Sequence, residues 1–316
     1  MVNIFNTDID SGKLKKVKEI EKGAWINLVH PSESEINNIC SELNISDNFI
    51  KYALDYDEQA RIDQEEDTIL FILDVPIIEK NGNTDATQYT TMPLGIIIVR
   101  DFAIITVSLK ENIVINQFVN EKIKNFHTYK KTRFLFQMMY YNASCFLTYL
   151  KRINKETEVA ESVLKASMKN KELLKLLSLE KSLVYFTTSL KSNELVMEKS
   201  AKGKILKLYE EDEDLIEDAI IENQQAIEMS QIYSNILNGT MDAYSSIISN
   251  NLNGVMKLLT SLTIILSIPT MIASFWGMNV PVPFQNNIFG FWITCGIAII
   301  LTLIITWILK IKHLLS

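Results

Sequence analysis

The sequence predicts an α+β domain, built as an α/β sandwich, followed by long helices and two C-terminal transmembrane helices. Three observations predict it. β-rich runs broken by turn residues are confined to the first 125 residues or so. No proline occurs between Pro93 and Pro269 and no glycine between Gly95 and Gly203, so the middle of the chain lacks the residues that stop helices. The last acidic residue is Asp242, and the acid-free remainder holds two apolar stretches long enough to cross a bilayer.

Taken in order, Ala24–His30 reads as a strand ending at Pro31. Ser32 with Glu35 three residues on makes a capping-box pattern, opening a helix through about Leu43. Residues 47–55 read as a second short helix, with Tyr56–Arg61 as its polar exit. Thr68–Ile78, Tyr89–Val99 and Phe102–Leu109 read as hairpin-linked strands, broken at Lys80-Asn81-Gly82-Asn83 and Arg100-Asp101. Long helices are expected over about 130–167 and 170–200. A third begins near Lys204 and continues to about 275, roughly 110 Å at ~1.5 Å per residue. Ala219, Ala226, Tyr233, Leu237, Tyr244 and Ile248 recur on it at coiled-coil-like spacing, read as an outer flank. The expected division is an α/β domain over 1–125, antiparallel helices over 126–203 and a stalk helix over 204–254. A first span over 255–276, a connector over 277–290, a second span over 291–309 and a basic tail over 310–316 complete it.

The first span is not apolar all round. Stepping alternately by three and four from Gly239, one meets Asp242, Ser246, Ser249, Asn253, Met256, Thr260, Thr263, Ser267, Thr270, Ser274 and Gly277. That is one seam of a helix wound at about 3.5 residues per turn. Nearly every member is small or polar, while Leu258, Leu259, Leu262, Ile264, Ile265, Leu266 and Ile268 fill the other faces. Such a seam either packs transmembrane helices closely or, repeated around an axis, lines an aqueous tube. Asp242 and Asn253, where the helix leaves the membrane, suit a passing cation better than tight packing.

The chain of 316 residues is 22% charged and 47% hydrophobic, with a net charge of −7 and every acidic residue at or before Asp242. An acid surplus argues against a nucleic-acid partner. Cys40, Cys145 and Cys295 are far apart, which indicates neither a disulfide framework nor a structural zinc site and fits a reduced, cytosolic setting. The first residues, MVNIFNTDIDSGKLKK, lack the apolar core of a signal peptide. Lys257 and Lys310-Ile311-Lys312-His313 flank the spans, so both termini are expected on the cytoplasmic side of the plasma membrane.

Gly277-Met278-Asn279 falls where the first span meets the outer surface, before a short connector and a final span. A lone GMN tripeptide says little. In this position, behind a large acidic domain and before a single further span, it resembles the CorA family of divalent-cation transporters over the whole chain. Asp57-Glu58-Gln59-Ala60-Arg61, Leu73-Asp74-Val75-Pro76, Asn238–Tyr244 and Ser249–Lys257 also match.

The resemblance implies a funnel-shaped homopentamer in the lipid bilayer, with the first span lining the pore and the second facing lipid. It implies a filter at Gly277, Met278 and Asn279, pore-lining positions at Thr270, Met256 and Asn253, a constriction at Leu259 and an acidic ring at Asp242. Thr260, Thr263 and Ser267 complete the wall by their place on the seam. The resemblance also aligns Asp218 with a carboxylate that binds regulatory Mg²⁺ between subunits. The cargo implied is Mg²⁺, with Co²⁺ as a further divalent cation. Mg²⁺ gives up water reluctantly and prefers oxygen, so neutral amide and carbonyl oxygens suit a filter that meets the hydrated ion. Met256 with Leu259 makes an apolar constriction that can dewet. Pro269 removes the hydrogen bond to the Ile265 carbonyl, which is expected to kink the helix or leave an acceptor free.

Three departures from the family pattern stand out. Trp276 replaces the more frequent tyrosine, the 280–290 connector has no acid, and the basic tail is sparse. Steering of cations at the outer mouth must then rest on carbonyls, Gln285, Asn286 and Asn287. The rest of the acidic cluster, Glu210-Glu211-Asp212-Glu213-Asp214 with Glu217 and Glu222, reads as a solvated helix start favoured by the helix dipole. Competing functions are transport of Co²⁺, Ni²⁺ or Zn²⁺, a membrane-anchored enzyme, and a non-conducting sensor. Softer metals favour His or Cys ligands that the seam lacks. His30, His127 and His313 make no HExxH pattern, and no GxGxxG, GKS/T or GxSxG occurs, so an enzyme is not expected.

Overall fold

The computed structural model describes all residues except 10, 81–86, 101, 168–169, 204, 285–286 and 315–316, with the side chains of 80, 87 and 166–167 also left aside. It divides into two units, residues 1–239 and 240–316.

The first unit is built on a seven-stranded sheet in the order β2-β1-β3-β7-β6-β5-β4. Its strands are β1 (Val2–Thr7), β2 (Leu14–Val17), β3 (Trp25–Val29), β4 (Arg61–Glu65), β5 (Thr68–Lys80), β6 (Thr87–Val99) and β7 (Ile104–Ser108). Among the described residues only β3 and β7 pair in parallel; every other neighbour is antiparallel. Because successive side chains alternate between faces, the sheet makes two cores. Ile26, Leu28, Leu70, Ile72, Ile97, Ile105 and Val107 pack under α1 (Glu33–Leu43) and α2 (Asp47–Tyr52). Trp25, Phe71, Leu73, Val75, Leu94, Ile96 and Ile104 pack under α3 (Ile113–Val119), α4 (Lys131–Ser167) and α5 (Asn170–Ala201). The layers are helices, sheet, helices, which is the predicted sandwich.

The capping box forms as expected. Ser32 accepts from Glu35 N–H at 3.3 Å and Ser32 N–H donates to the Glu35 carboxylate at 2.8 Å. Gly95 on β6 sits so close to Ala53 that a Cβ there would collide with it, which lets the end of α2 lie on the sheet.

Several expectations are corrected. The first residues, which carry no strand signal, form the β1–β2 hairpin. Arg61 opens β4 rather than ending a helix exit. Both β2 and β4 are sheet edges, where charged side chains face water and obscure the alternation of apolar residues. α3 is a further short helix, capped by Asn112. The third long helix, α6 (Glu210–Trp276), starts at Glu210 rather than near Lys204. Ala219 and Ala226, read as an outer flank, are fully buried within their own chain. The same face of α6 is bound there by Asn223, whose amide donates to the Leu190 carbonyl at 3.0 Å, and by Ser230, which donates to the Leu183 carbonyl at 3.1 Å. The turn expected at Asn81-Gly82-Asn83, and Asp101, lie outside the described residues.

The second unit contains the rest of α6 and α7 (Gly290–Ile311). Both helices are long and apolar enough to span a membrane. α6 continues through Pro269 as one helix, with no break there.

Candidate functional site

The polar seam lies along α6. Asp242, Ser246, Ser249, Asn253, Met256, Thr260, Thr263, Ser267, Thr270, Ser274 and Gly277 are all exposed. A different face of the helix is covered. Ser261 is 1% exposed and Ile272 5%, with Ile265, Ile268 and Trp276 half-buried between and beyond them. At one end of this face Ser261 donates to the Leu314 carbonyl at 2.9 Å, and at the other the Trp276 indole donates to the Pro283 carbonyl at 3.2 Å. The covered face is thus bonded to the chain on either side of α7. At 3.6 residues per turn the two faces are roughly 160° apart. The seam is the side that α7 leaves open.

Five hydroxyls on this open side bond back to their own helix. Ser246 donates to the Asp242 carbonyl at 3.1 Å, Thr263 to Leu259 at 2.9 Å and Ser267 to Ile264 at 2.8 Å. Thr270 donates to Leu266 at 3.1 Å and Ser274 to Thr270 at 2.8 Å. A hydroxyl has one hydrogen and two lone pairs, so a hydroxyl bonded this way keeps only acceptor capacity. Exposed apolar residues interrupt this surface at Met256, 54% exposed, and Leu259, 58% exposed. Asn253 and Asp242 lie toward the N-terminal end of the seam.

At the other end, α6 closes at Trp276 and Gly277 N–H bonds back to the Ala273 carbonyl at 2.9 Å. Gly277, Met278 and Asn279 follow in an exposed turn, and among the described residues the Asn279 side chain makes no hydrogen bond. The connector folds on itself beyond this point. Asn287 N–H bonds to the Phe284 carbonyl at 3.1 Å and Asn287 Oδ1 accepts from Phe289 N–H at 2.9 Å. A Cβ on Gly290 would come within 2.6 Å of the Phe284 carbonyl oxygen, so the turn admits only glycine there. Asn287, expected to steer cations, therefore spends one lone pair on the turn. Gln285 and Asn286, expected to do the same, lie outside the described residues.

Asp218 belongs to the first unit. Its carboxylate is exposed, on α6 one turn before Glu222. Burial, and then the charges of Glu222 and Asp218, push the Tyr140 phenol on α4 above its ordinary range. Among the described residues Asp218 has no ion-pair partner, and no group of three His, Cys, Asp or Glu side chains is placed to hold a metal within one chain. The acidic start of α6 is not wholly solvated, contrary to expectation. Asp212 is 5% exposed and 3.4 Å from the Arg133 guanidinium, which also reaches Glu211 at 3.5 Å. Burial raises the Asp212 carboxyl above its ordinary range, and Arg133 and Lys130 counter that. Arg133 and Asp212 are 79 positions apart, and nothing in the local sequence pairs them.

An α/β sandwich, long helices and two C-terminal apolar helices, one of them with a polar exposed face, define a class of membrane protein. The chain belongs to the CorA family: residues 21–311 match the family described as CorA-like Mg²⁺ transporter protein. It is 27% identical over 296 residues to the cobalt/magnesium transport protein CorA of Methanocaldococcus jannaschii, covering 90% of this chain and 89% of that one. The complete structure of the CorA magnesium transporter from the same organism superposes with a TM-score of 0.83 at 25% identity, over 98% of this chain and 96% of that chain. The full-length CmaX protein shares the fold, with a TM-score of 0.71 at 16% identity over 98% of this chain and 97% of that one. The chain is accordingly a membrane protein of a transporter family, not an enzyme.

Proposed function

We propose that this chain is a Mg²⁺ channel of the plasma membrane, taking the ion up passively as a homopentamer with both termini in the cytoplasm. The observation that carries this reading is the set of seam hydroxyls whose hydrogens are committed to their own helix. A hydrated cation turns water hydrogens outward and is received by lone pairs. A hydrated anion turns lone pairs outward and finds no donor in those five hydroxyls. A wall of this kind favours cations through their hydration shells, which suits an ion as slow to dehydrate as Mg²⁺.

In this reading Asn279, Met278 and Gly277 form the outer filter, with amide and carbonyl oxygens meeting the hydrated ion. Thr270, Ser267, Thr263 and Thr260 are the conduit. Met256 and Leu259 form the apolar constriction, Asn253 follows it, and Asp242 is the inner acidic ring. Asp218 binds a regulatory Mg²⁺ between subunits, because a carboxylate with no cation in its own chain needs ligands from a neighbour to build an oxygen site. Bound Mg²⁺ screens carboxylate repulsion and holds the assembly closed; low cytosolic Mg²⁺ releases it. Co²⁺ is a second cargo, as the name of the M. jannaschii relative suggests.

Cysteine accessibility tests the assignment of faces. In vesicles, Thr263→Cys and Ser267→Cys in a background lacking Cys40, Cys145 and Cys295 should react with a water-soluble cationic thiol reagent, and Mg²⁺ should slow the reaction. Leu262→Cys and Leu266→Cys should react at least tenfold more slowly. Equal reaction on both sets would remove the aqueous wall.

A further inference from the structure

A cavity of about 300 Å³ opens on the first unit between β1, β3 and α3, apart from every residue assigned above to conduction. Asn3 and Asn27, register neighbours on β1 and β3, lie in its floor, and Thr106 on β7 continues that polar row beyond the cavity. Phe5, Ile115 and Val119 supply its apolar wall. Polar side chains in the floor of a sheet need partners, because an unsatisfied buried polar group costs about 1–3 kcal/mol.

The hydrogen-bond chain fixes which way these amides point. The Trp25 indole can only donate, and it donates to Thr106 Oγ1 at 2.9 Å. The Thr106 hydrogen therefore goes to Asn27 Oδ1, also at 2.9 Å. Asn27 is 5% exposed, and its NH₂ has no acceptor among the described residues. Asn112, 4% exposed, spends its oxygen on the Ile115 N–H at 2.9 Å, and its NH₂ is buried with no acceptor either. Asn3 spends its oxygen on Lys16 Nζ at 2.6 Å, which holds the ammonium at the rim. The cavity thus presents amide donors with a cation beside them. Glu111 is the single carboxylate among the lining residues.

We propose that this cavity is a binding site for a small oxyanion, a carboxylate or a phosphate, held by the amides of Asn27 and Asn112 with Lys16 at the mouth. Water has two lone pairs for these N–H groups, whereas a carboxylate or phosphate has four or more and carries the charge that Lys16 complements. The apolar wall limits the ligand to a small one.

The test uses the full-length chain in detergent, stripped of divalent metal on a chelating resin. Its thermal midpoint is followed against inorganic phosphate in one arm and succinate in the other, with ionic strength held constant in chloride. At least one anion should raise the midpoint saturably, and the arm that does so identifies the class. Asn112→Asp keeps the cap on α3 but replaces the donor with a carboxylate, and should weaken binding at least tenfold. Glu111→Gln should bind as tightly as wild type or more so. If Asn112→Asp lowers the ligand-free midpoint, Lys16→Ala at the exposed rim takes its place, again with weaker binding expected. No rise beyond chloride in either arm, or an unchanged response in the folded donor or rim variant, would overturn the proposal.

Discussion

The side-chain amide of Asn193 on α5 completes the backbone of Asp74 on β5: Asn193 Oδ1 accepts from Asp74 N–H at 2.8 Å and Asn193 Nδ2 donates to the Asp74 carbonyl at 2.8 Å. Beyond Arg61↔Ile72 strand β4 no longer pairs with β5, so this edge of β5 needs other partners. Asn142 on α4 adds a second bond to the same carbonyl, also at 2.8 Å. Two helices are thus fastened to the sheet at one residue. Asn193→Leu leaves the Asp74 N–H buried without a partner and should cost about 1–3 kcal/mol of unfolding free energy. Denaturant unfolding of the chain in detergent, followed by a probe on β5, measures it.

The Asp74 carboxyl beside this clamp sets a pH dependence. Burial pushes it up to about 6, against an ordinary 3.8, with the Ser189 hydroxyl pulling the other way. Between those two values the folded chain holds a proton that the unfolded chain has lost. The contribution is full below pH 3.8 and is lost as pH rises through 6. Asp74→Asn should therefore stabilise the first unit by about 1–3 kcal/mol at pH 7.5, allowing for its partial exposure, and have little effect near pH 4. Amide exchange protection on β5 across that range reads the difference.

Asp218→Ala addresses regulation. With Mg²⁺ present the wild-type protein should resist proteolysis more than without it. In the variant that Mg²⁺-dependent protection should fall by at least tenfold in cleavage rate. A variant protected like wild type would remove Asp218 from the regulatory site.

Much of the fold was legible because its signals are local. The Ser32–Glu35 box, the apolar runs at Thr68–Ile78 and Tyr89–Val99, and the breaker-free stretch behind α4 and α5 all act within a few turns of chain. The seam was legible for the same reason, since a period near 3.5 needs no knowledge of the partner. What was hidden depends on distance or on solvent. β2 and β4 are edges whose charges mask their alternation. Arg133 and Asp212, or Asp74 and Asn193, meet only after folding, so Asp212 read as solvated and nothing in the sequence marks Asn193. The side of α6 left open by α7 was equally invisible, because it depends on where Ser261 and Trp276 find their acceptors.

The central claim is that the open seam and its outer turn conduct Mg²⁺. Flux of Mg²⁺ into liposomes containing the purified chain, with Asn279→Ala reconstituted beside it, tests that most directly. Wild type should load the vesicles well above protein-free controls, and Asn279→Ala should load them at least tenfold more slowly. Wild-type flux equal to that of empty liposomes would contradict the account.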